Sequence, residues 1–222
     1  MQSTHLKKIP GICHDFGDAV HSMDSELLSG WEKKAPRWKQ VHGKSIQEIH
    51  TPLQNAGEVD GLWTQAVDLP IAVRTADCVP ILLAKKDGST VAALHAGWKG
   101  TLAKIVEAFS DQVQGLHGWI AAVGPCISMA HYQVSAQIIE KFRKTFPDHD
   151  PSLFSDPQNH LNLAQVNRLE LTRCGAEEVD LIEQCTFSTP SPNDSHSYRF
   201  HSYRRNKADD GRQHSVIMKI SS

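Results

Sequence analysis

An Asp-Gly pair between two apolar runs is the feature that most constrains the fold of this chain. Asp87 and Gly88 separate the run Val79 to Ala84 from the run Thr90 to Leu94. Two such runs joined by Asp-Gly are typical of a β-hairpin, because a type I′ turn needs a positive φ at both central residues. The sequence therefore predicts two adjacent antiparallel strands with their turn at Asp87 and Gly88.

The register of this hairpin brings a cysteine and a histidine together. If Lys86 pairs with Ser89, Pro80 lies opposite His95, and Cys78 shares the face of Pro80 since side chains alternate along a strand. Cys78 and His95 are then diagonal neighbours with Cβ atoms about 7 Å apart. Zinc binds sulfur at about 2.3 Å and imidazole nitrogen at about 2.0 Å, so the two side chains are able to share one ion. A turn one residue longer would place them on opposite faces.

A helix is expected directly after His95. Apolar residues recur at helical spacing from Trp98 to Val113, and Gly115 follows as a suitable C-terminal residue. We therefore expect one helix from about Trp98 to Gln114. Gly97 and Gly100 at its start have two interpretations, an anion site at the helix N-terminus or glycines needed only for close packing.

Composition excludes several classes of function. A chain of 222 residues, 40% of them hydrophobic, is expected to form one domain, residues 1–222. The formal net charge of -2 gives no reason to expect a nucleic-acid partner. No apolar run approaches the ~20 residues of a membrane-spanning helix, so no membrane partner is expected. The five widely spaced cysteines favour free thiols in a reducing compartment, and we expect a cytoplasmic protein.

Short strands interleaved with helices, without strict alternation, predict an α/β domain with mixed sheets flanked by helices. Further strands are expected at Gly11 to Gly17, Trp38 to Ile46 with a turn at Gly43, Glu58 to Thr64, Pro70 to Val73, Trp119 to Val123 and Glu178 to Ile182. Further helices are expected over Val134 to Phe146, and after Asn162 as far as Gly175.

A second Asp-Gly turn is expected near the C-terminus. Strands at Tyr198 to Tyr203 and His214 to Ile220 are predicted to flank the segment 204–212, which contains Asp210-Gly211. Its arginines have two interpretations, a phosphate-binding group or charges on a solvated turn. They are Arg204, Arg205 and Arg212.

Several motifs together resemble one known family. The middle pair, Arg74-Thr-Ala-Asp-Cys-Val-Pro80 and His95-Ala-Gly-Trp-Lys-Gly100, is the most specific. The likeness runs from about Trp38 to the C-terminus, and the chain resembles the multicopper polyphenol oxidase or laccase-domain family, also called the YfiH family. The other matching segments are Gln40-Val-His-Gly43, Val59-Asp-Gly-Leu62, Gly124-Pro-Cys-Ile127, Ser202-Tyr-Arg-Arg205 and Gly211-Arg-Gln213.

The resemblance implies a single domain of layered mixed sheets with a zinc site. Its three ligands map onto His42, Cys78 and His95. From its position alone, His42 is more readily a surface residue before a glycine, and the resemblance is what makes it a ligand candidate. Three protein ligands leave a fourth position open for water or substrate, as in catalytic zinc sites.

The resemblance also implies a purine nucleoside enzyme. Family members are described as phosphorolysing adenosine, inosine and methylthioadenosine to a sugar 1-phosphate and free base, and as deaminating adenosine. Small-molecule nucleoside and phosphate are then the partners. Candidates for binding phosphate are Arg74, Lys99 and the helix start at Gly97 to Gly100, with Arg205 a further substrate-binding candidate. Asp77 is either a general acid or base, or the cap of a turn.

Other functions remain open at this point. Cys78 and His95 are also a nucleophile and base for a cysteine-dependent hydrolase or amidase, since the implied fold is related to cysteine-dependent toxin deamidases. A copper phenol oxidase ranks low because the sequence has no His-x-His pair. A zinc-stabilised binding module is the non-enzymatic alternative. The family commonly has an acidic residue where this chain has Gln133, which leaves substrate specificity open.

Overall fold

The three antiparallel strands at the centre of the largest sheet are apolar and buried on both faces, except for the buried His95 and the partly exposed Lys85. The computed structural model describes residues 1–19, 27, 30–194, 196–207 and 211–221. Strands β7 (Val79–Lys85), β8 (Val91–Ala96) and β9 (Trp119–Val123) form this centre. Alternate side chains of β7 and β8 lie in two different cores, one on each face of the sheet. Because both faces are covered, the two strands are nearly continuous apolar runs.

Three sheets make up the strand content of the described residues. The six-stranded sheet has the order β10-β9-β7-β8-β5-β3, and includes β3 (Ile46–Glu48), β5 (Gly61–Thr64) and β10 (Glu178–Leu181). Its pairs are both parallel, as in β10 with β9, and antiparallel, as in β7 with β8. The expected mixed-sheet α/β fold is therefore confirmed.

The other two sheets are small. A three-stranded antiparallel sheet has the order β1-β11-β6, and a two-stranded parallel sheet joins β2 to β4. A core between the three-stranded and six-stranded sheets includes Phe16, Ile71 and Leu82. These strands are β1 (Ile12–Phe16), β2 (Arg37–Lys39), β4 (Asn55–Glu58), β6 (Ile71–Thr75) and β11 (Gln213–Lys219).

Helices cover the other face of the six-stranded sheet, where a second core includes Phe109, Trp119 and Phe142. Asn162 caps one of these helices as predicted, since its side chain accepts the N–H of Gln165. In chain order the helices are α1 (Trp31–Lys34), α2 (Trp98–Leu102), α3 (Ile105–Gln112), α4 (Ala136–Thr145), α5 (Leu163–Arg173) and α6 (Tyr203–Asn206). Within the described residues, none of the helices has the length and apolar character needed to cross a membrane.

The hairpin register is as predicted, but its turn is not. Pro80 lies opposite His95. Gly88 has φ +70, whereas Asp87 is not among the residues of positive φ, so the turn is not type I′. The N–H of Lys85 donates to the carbonyl oxygen of Thr90 at 2.9 Å, which closes a four-residue loop with the same register parity as the two-residue turn.

Other predictions were wrong as well. The expected strand over Trp38 to Ile46 is present only at its ends, since β2 ends at Lys39 and β3 begins at Ile46. The expected helix from Trp98 to Gln114 is broken into α2 and α3, because Lys104 has the left-handed conformation φ 63, ψ 54. The expected strand at Tyr198 to Tyr203 is absent from the described residues. Ser202 instead caps the short helix α6 by accepting the N–H of Arg205. Asp210 of the predicted second turn lies outside the described residues.

Candidate metal centre

Three segments far apart in the chain place two imidazoles and a thiol side by side. His42 lies in the loop after β2, Cys78 immediately precedes β7, and His95 lies within β8. The candidate ligand atoms of the three side chains all lie within 4.8 Å of one another. The rings of His42 and His95 meet edge to face with centroids 4.8 Å apart. We call these three residues the His-Cys-His cluster.

A buried carboxylate orients the His95 ring. Asp60 is fully buried, and its Oδ1 lies 2.7 Å from His95 Nδ1. The backbone N–H of His95 also donates to the carbonyl oxygen of Asp60 at 2.7 Å. With Nδ1 engaged, Nε2 is the nitrogen left for a ligand, which is the arrangement that carboxylates impose on metal-binding histidines.

The same carboxylate holds the loop that carries His42. Backbone N–H groups of Val41, His42 and Gly43 donate to the Asp60 oxygens at 3.2, 2.9 and 2.6 Å. These bonds compensate for the left-handed backbone of His42, which has φ 61. Burial alone raises the pKa of Asp60, but the bonds from His95 and the loop outweigh it and lower that pKa. Sequence reasoning gave Asp60 no role, and its only signal was the Val59-to-Leu62 motif.

Asp77 fixes the segment that carries the thiol. Its Oδ1 accepts the hydroxyl of Thr186 at 2.7 Å, and its Oδ2 accepts the backbone N–H of Arg204 at 2.6 Å. Its carbonyl oxygen accepts the N–H of Ile127 at 3.0 Å. Asp77 is itself left-handed, with φ 91, directly before the half-buried Cys78. These bonds favour the turn-capping interpretation of Asp77 over general acid or base chemistry.

Electrostatics in the cluster favour a thiolate. Burial raises the pKa of Cys78, but hydrogen bonds from His42 and His95 outweigh burial and lower it to about 6. Burial lowers the pKa of His95, whereas the bonds to Asp60 and Cys78 raise it to about 9. A thiolate and two imidazoles are ligands that zinc prefers, so the donor set fits that ion.

The two glycines after His95 lie where a Cβ would crowd neighbouring residues. A Cβ on Gly97 would lie 3.0 Å from Cys78 Sγ and 3.2 Å from His42 Cδ2. A Cβ on Gly100 would lie 2.8 Å from the carbonyl oxygen of Gly43. Helix α2 has only five residues. The close-packing interpretation of Gly97 and Gly100 is therefore favoured over an anion site.

The His-Cys-His cluster lies in a cavity of about 660 Å³. This volume is in the range of small-molecule sites. Of the predicted substrate-binding residues, Arg74 and Lys99 line the cavity, together with Asp77. Arg204 and Arg212, two of the three arginines for which a phosphate-binding interpretation was open, also line it. The lining residues that sequence reasoning did not assign to the site are Lys39, Gln40, Thr75, Ala76, Trp98, Ile127, Tyr132, Leu163 and Tyr203.

Arg205 does not line the cavity. Its guanidinium donates to the backbone carbonyl oxygens of Thr186, Phe187 and Phe200 at 3.0, 2.7 and 2.6 Å, and stacks over Tyr198. The adjacent Arg204 points to the cavity instead, with its guanidinium 5.2 Å from the centre of the Tyr132 ring. Neighbouring arginines of one helix turn thus have different roles.

Basic side chains dominate the charge of the cavity wall. Among the lining residues that the structure describes, Asp77 is the one acidic residue, and its carboxylate is already hydrogen-bonded. Lys39 is paired with Glu58 at 2.7 Å. The other lining cations are Arg74, Lys99, Arg204 and Arg212. A cavity with this balance favours an anionic ligand.

The chain belongs to the family described as multi-copper polyphenol oxidoreductase laccase, which matches residues 13–220. The match begins well before Trp38, where the motif likeness was expected to start. A protein of Rickettsia conorii named purine nucleoside phosphorylase is 32% identical over 156 residues, which are 68% of this chain and 65% of that protein. The purine nucleoside phosphorylase YfiH of Escherichia coli K12 is 28% identical over 215 residues, 94% of this chain and 84% of that protein.

Solved structures have the same fold. YlmD of Geobacillus stearothermophilus superposes with a TM-score of 0.78 at 22% identity, covering 96% of this chain and 93% of that one. The YfiH protein of Bacillus licheniformis superposes with a TM-score of 0.76 at 25% identity, covering 89% of this chain and 78% of that one. This chain thus has the same fold as both proteins.

Proposed function

We propose that this protein is a zinc-dependent purine nucleoside enzyme of the cytoplasm. It phosphorolyses adenosine, inosine and methylthioadenosine to a sugar 1-phosphate and the free base, and it deaminates adenosine. The observation that carries the proposal is the His-Cys-His cluster in a nucleoside-sized cavity rimmed by cations. The names of the relatives, purine nucleoside phosphorylases, support the same substrate class.

His42, Cys78 and His95 are the proposed zinc ligands. Three ligands leave one coordination position for water or substrate. When bound, zinc lowers the pKa of a coordinated water to about 7, which suits deamination at C6 of adenine. The protein's own contribution is to hold the ring of His95 and the loop of His42 through Asp60, before substrate arrives.

The proposed phosphate-binding residues of the cavity are Arg74, Lys99 and Arg212. The Gln40 side chain holds the backbone of Arg74 through two hydrogen bonds. It accepts the Arg74 N–H at 2.7 Å and donates to the Arg74 carbonyl oxygen at 2.8 Å. The Arg74 guanidinium lies 5.2 Å from the Trp38 ring centre, and the Lys99 ammonium lies 5.6 Å from that of Trp98. Arg74 and Lys99, positioned in this way, are suited to bind a phosphate oxygen and to stabilise the charge that develops during phosphorolysis.

Aromatic and aliphatic side chains provide the proposed base subsite. Trp98, Tyr132, Ile127 and Leu163 contribute apolar surface to the same cavity. Burial raises the pKa of the Tyr132 hydroxyl, so this group stays protonated at neutral pH and is available as a hydrogen-bond donor. Flat apolar walls with a few polar groups are typical of sites for heteroaromatic ligands.

Incubation with adenosine, inosine and methylthioadenosine, each with and without inorganic phosphate, tests the proposal. We expect ribose 1-phosphate and adenine from adenosine when phosphate is present, and inosine when it is absent. Cys78→Ser should abolish both reactions, and Cys174→Ser, at a cysteine outside the cavity, should retain them. No product from any of the three nucleosides would refute the proposal.

The pKa values in the cluster also favour a second candidate, a cysteine-dependent hydrolase. A thiolate at Cys78 beside a protonated His95 is the ion pair that such enzymes use. Metal analysis of the purified protein, combined with alkylation of Cys78, separates the two. Stoichiometric zinc that protects the thiol supports the nucleoside enzyme, whereas rapid alkylation of a metal-free site supports the hydrolase.

The remaining alternatives have distinct outcomes. The described part of the chain contains a single cluster of three metal-binding side chains, which does not favour a multicopper oxidase. Copper instead of zinc in the metal analysis would reverse that ranking. For a non-enzymatic zinc module, Cys78→Ala would unfold the protein, because structural zinc contributes folding free energy. Unchanged thermal unfolding with lost turnover favours the enzyme.

A further inference from the structure

Two cysteines outside the proposed ligand set face each other across a backbone bridge. Cys126 follows β9, Cys185 follows β10, and the two residues are partners in an isolated parallel bridge. The N–H of Cys126 donates to the carbonyl oxygen of Gln184, and the N–H of Thr186 donates to that of Cys126, at 3.3 and 3.0 Å. Paired residues of neighbouring strands lie about 4.8 Å apart with side chains on one side. A disulfide spans Cα separations of roughly 4.4–6.8 Å.

The environments of the two thiols differ in a way that assigns them different roles. Cys185 is half-buried, and its sulfur accepts the backbone N–H of Ser128 at 3.3 Å. Burial raises the pKa of Cys185, but hydrogen bonds from the side chain of Ser128, from Ser188 and from the backbone of Ser128 and Phe187 outweigh burial and lower the pKa. Cys126 is only 7% exposed, and burial, followed by the nearby Cys185, raises its pKa. The accessible sulfur is therefore the more nucleophilic one.

We propose that Cys126 and Cys185 form a reversible disulfide when the protein meets a peroxide. The Cys185 thiolate attacks one peroxide oxygen, the O–O bond breaks, and hydroxide departs as the leaving group. The product is a sulfenic acid on Cys185. The Cys126 sulfur then attacks the Cys185 sulfur, the S–O bond breaks, and the thiol proton leaves with the hydroxyl as water. The two thiols lose two electrons in total, and the peroxide gains them. Two equivalents of a small thiol reverse the reaction.

The residues that follow the two cysteines both contact Asp77. The N–H of Ile127 donates to its carbonyl oxygen at 3.0 Å, and the hydroxyl of Thr186 donates to its carboxylate at 2.7 Å. Asp77 in turn precedes Cys78 and holds the backbone of Arg204. The cysteine pair is thus connected through Asp77 to the segment that carries Cys78 and to the cavity wall.

Hydrogen peroxide treatment of the full-length, zinc-loaded protein tests the inference. After alkylation of the remaining thiols and digestion, mass spectrometry should find the Cys126 and Cys185 peptides joined and lighter by two hydrogen atoms. Dithiothreitol should release them. Cys185→Ser and Cys126→Ala should each abolish the joined peptide, and the matched control Cys174→Ser should retain it.

Two results would overturn the inference. One is oxidation of Cys185 to a sulfinic acid with Cys126 still a free thiol. The other is a disulfide that joins either cysteine to Cys78, since that pairing would arise from the metal cluster. Because the peptide readout does not use nucleoside turnover, an absence of turnover would refute the proposed function and leave this inference standing.

Discussion

At the scale of single residues, one buried carboxylate organises the candidate centre. Asp60 accepts the ring N–H of His95 and three backbone N–H groups of the loop that carries His42. Hydrogen bonds to a charged acceptor are stronger than neutral ones. Asp60 thus fixes two of the three proposed ligands without being one.

Asp60→Asn is expected to weaken zinc binding about 10- to 100-fold, because the amide gives the histidine and the loop a weaker acceptor. Competition with a chromophoric chelator measures the zinc dissociation constant. The control is Asp111→Asn, at an exposed carboxylate outside the cavity. Equal zinc affinity in both variants would contradict the role assigned to Asp60.

Gly97→Ala tests the packing next to the cluster. Its backbone, with φ -71 and ψ 170, accepts alanine without strain, so the free energy of unfolding of the metal-free protein should change by less than about 1 kcal/mol. The added Cβ lies 3.0 Å from the Cys78 sulfur, and zinc affinity should therefore fall. Zinc titration and urea unfolding of the same samples give the two values. Full zinc affinity would show that the cluster tolerates a Cβ.

Lys99→Gln removes one proposed phosphate contact. A charge-assisted hydrogen bond contributes about 1.5 kcal/mol or more, so KM for phosphate in adenosine phosphorolysis should rise at least about tenfold. Deamination in phosphate-free buffer should not change. Steady-state kinetics measures both, with Lys44→Gln as the control at an exposed lysine outside the cavity. Parallel loss of both activities would argue against a phosphate role.

At the scale of elements, the hairpin could be predicted from sequence because parity depends only on residue count. A four-residue loop and a two-residue turn both place Pro80 opposite His95, so the wrong turn type did not change the predicted register. The helix break could not be predicted, because nothing in the local pattern indicates a left-handed Lys104. The different roles of Arg204 and Arg205 could not be predicted either, because they depend on the direction in which each side chain leaves helix α6. The sequence predicts a strand leading into this segment.

Lys104 offers a test of this break. A β-branched residue resists the left-handed conformation, and Asn tolerates it. Lys104→Val should lower the free energy of unfolding by roughly 1–2 kcal/mol relative to Lys104→Asn. Both variants lose the same partly buried contact with Glu107, so the comparison isolates the backbone. Urea unfolding measures the difference, and equal stability would contradict the strain argument.

At the scale of the whole molecule, the two cores place the centre at the end of the hairpin. His95 shares its strand face with Val91 and Ala93, which belong to the core between the sheets. The three proposed ligands come from loops and strands separated by up to 53 positions, between 42 and 95. Local sequence patterns carry no such long-range information. That is why the position of His42 followed only from the family motifs.

Acid stability depends on a buried histidine between the sheets. Burial, and then the N-terminal charge, lower the pKa of His14 from 6.5 to about 4, and its Nε2 accepts the Ser3 N–H at 2.8 Å. As the pH falls, His14 is therefore protonated in the unfolded chain before it is protonated in the folded protein. Stability is fully present above pH 6.5 and falls as the pH drops from 6.5 to about 4.

The full effect of His14 is on the order of 3 kcal/mol. Urea unfolding at neutral pH and at pH near 4 should show a smaller acid loss for His14→Gln than for the unchanged protein. His50→Gln, at an exposed histidine, is the control and should keep the full loss. An acid loss that is the same in both variants would exclude His14 as its source.

The central claim is that His42, Cys78 and His95 bind one zinc ion. Zinc X-ray absorption spectroscopy of the purified protein, with metal content measured on the same sample, tests it directly. The account predicts one zinc per chain with one sulfur neighbour at about 2.3 Å and two imidazole nitrogens at about 2.0 Å, and loss of the sulfur signal in Cys78→Ser. A protein without metal, or zinc whose coordination shell lacks sulfur, would contradict it.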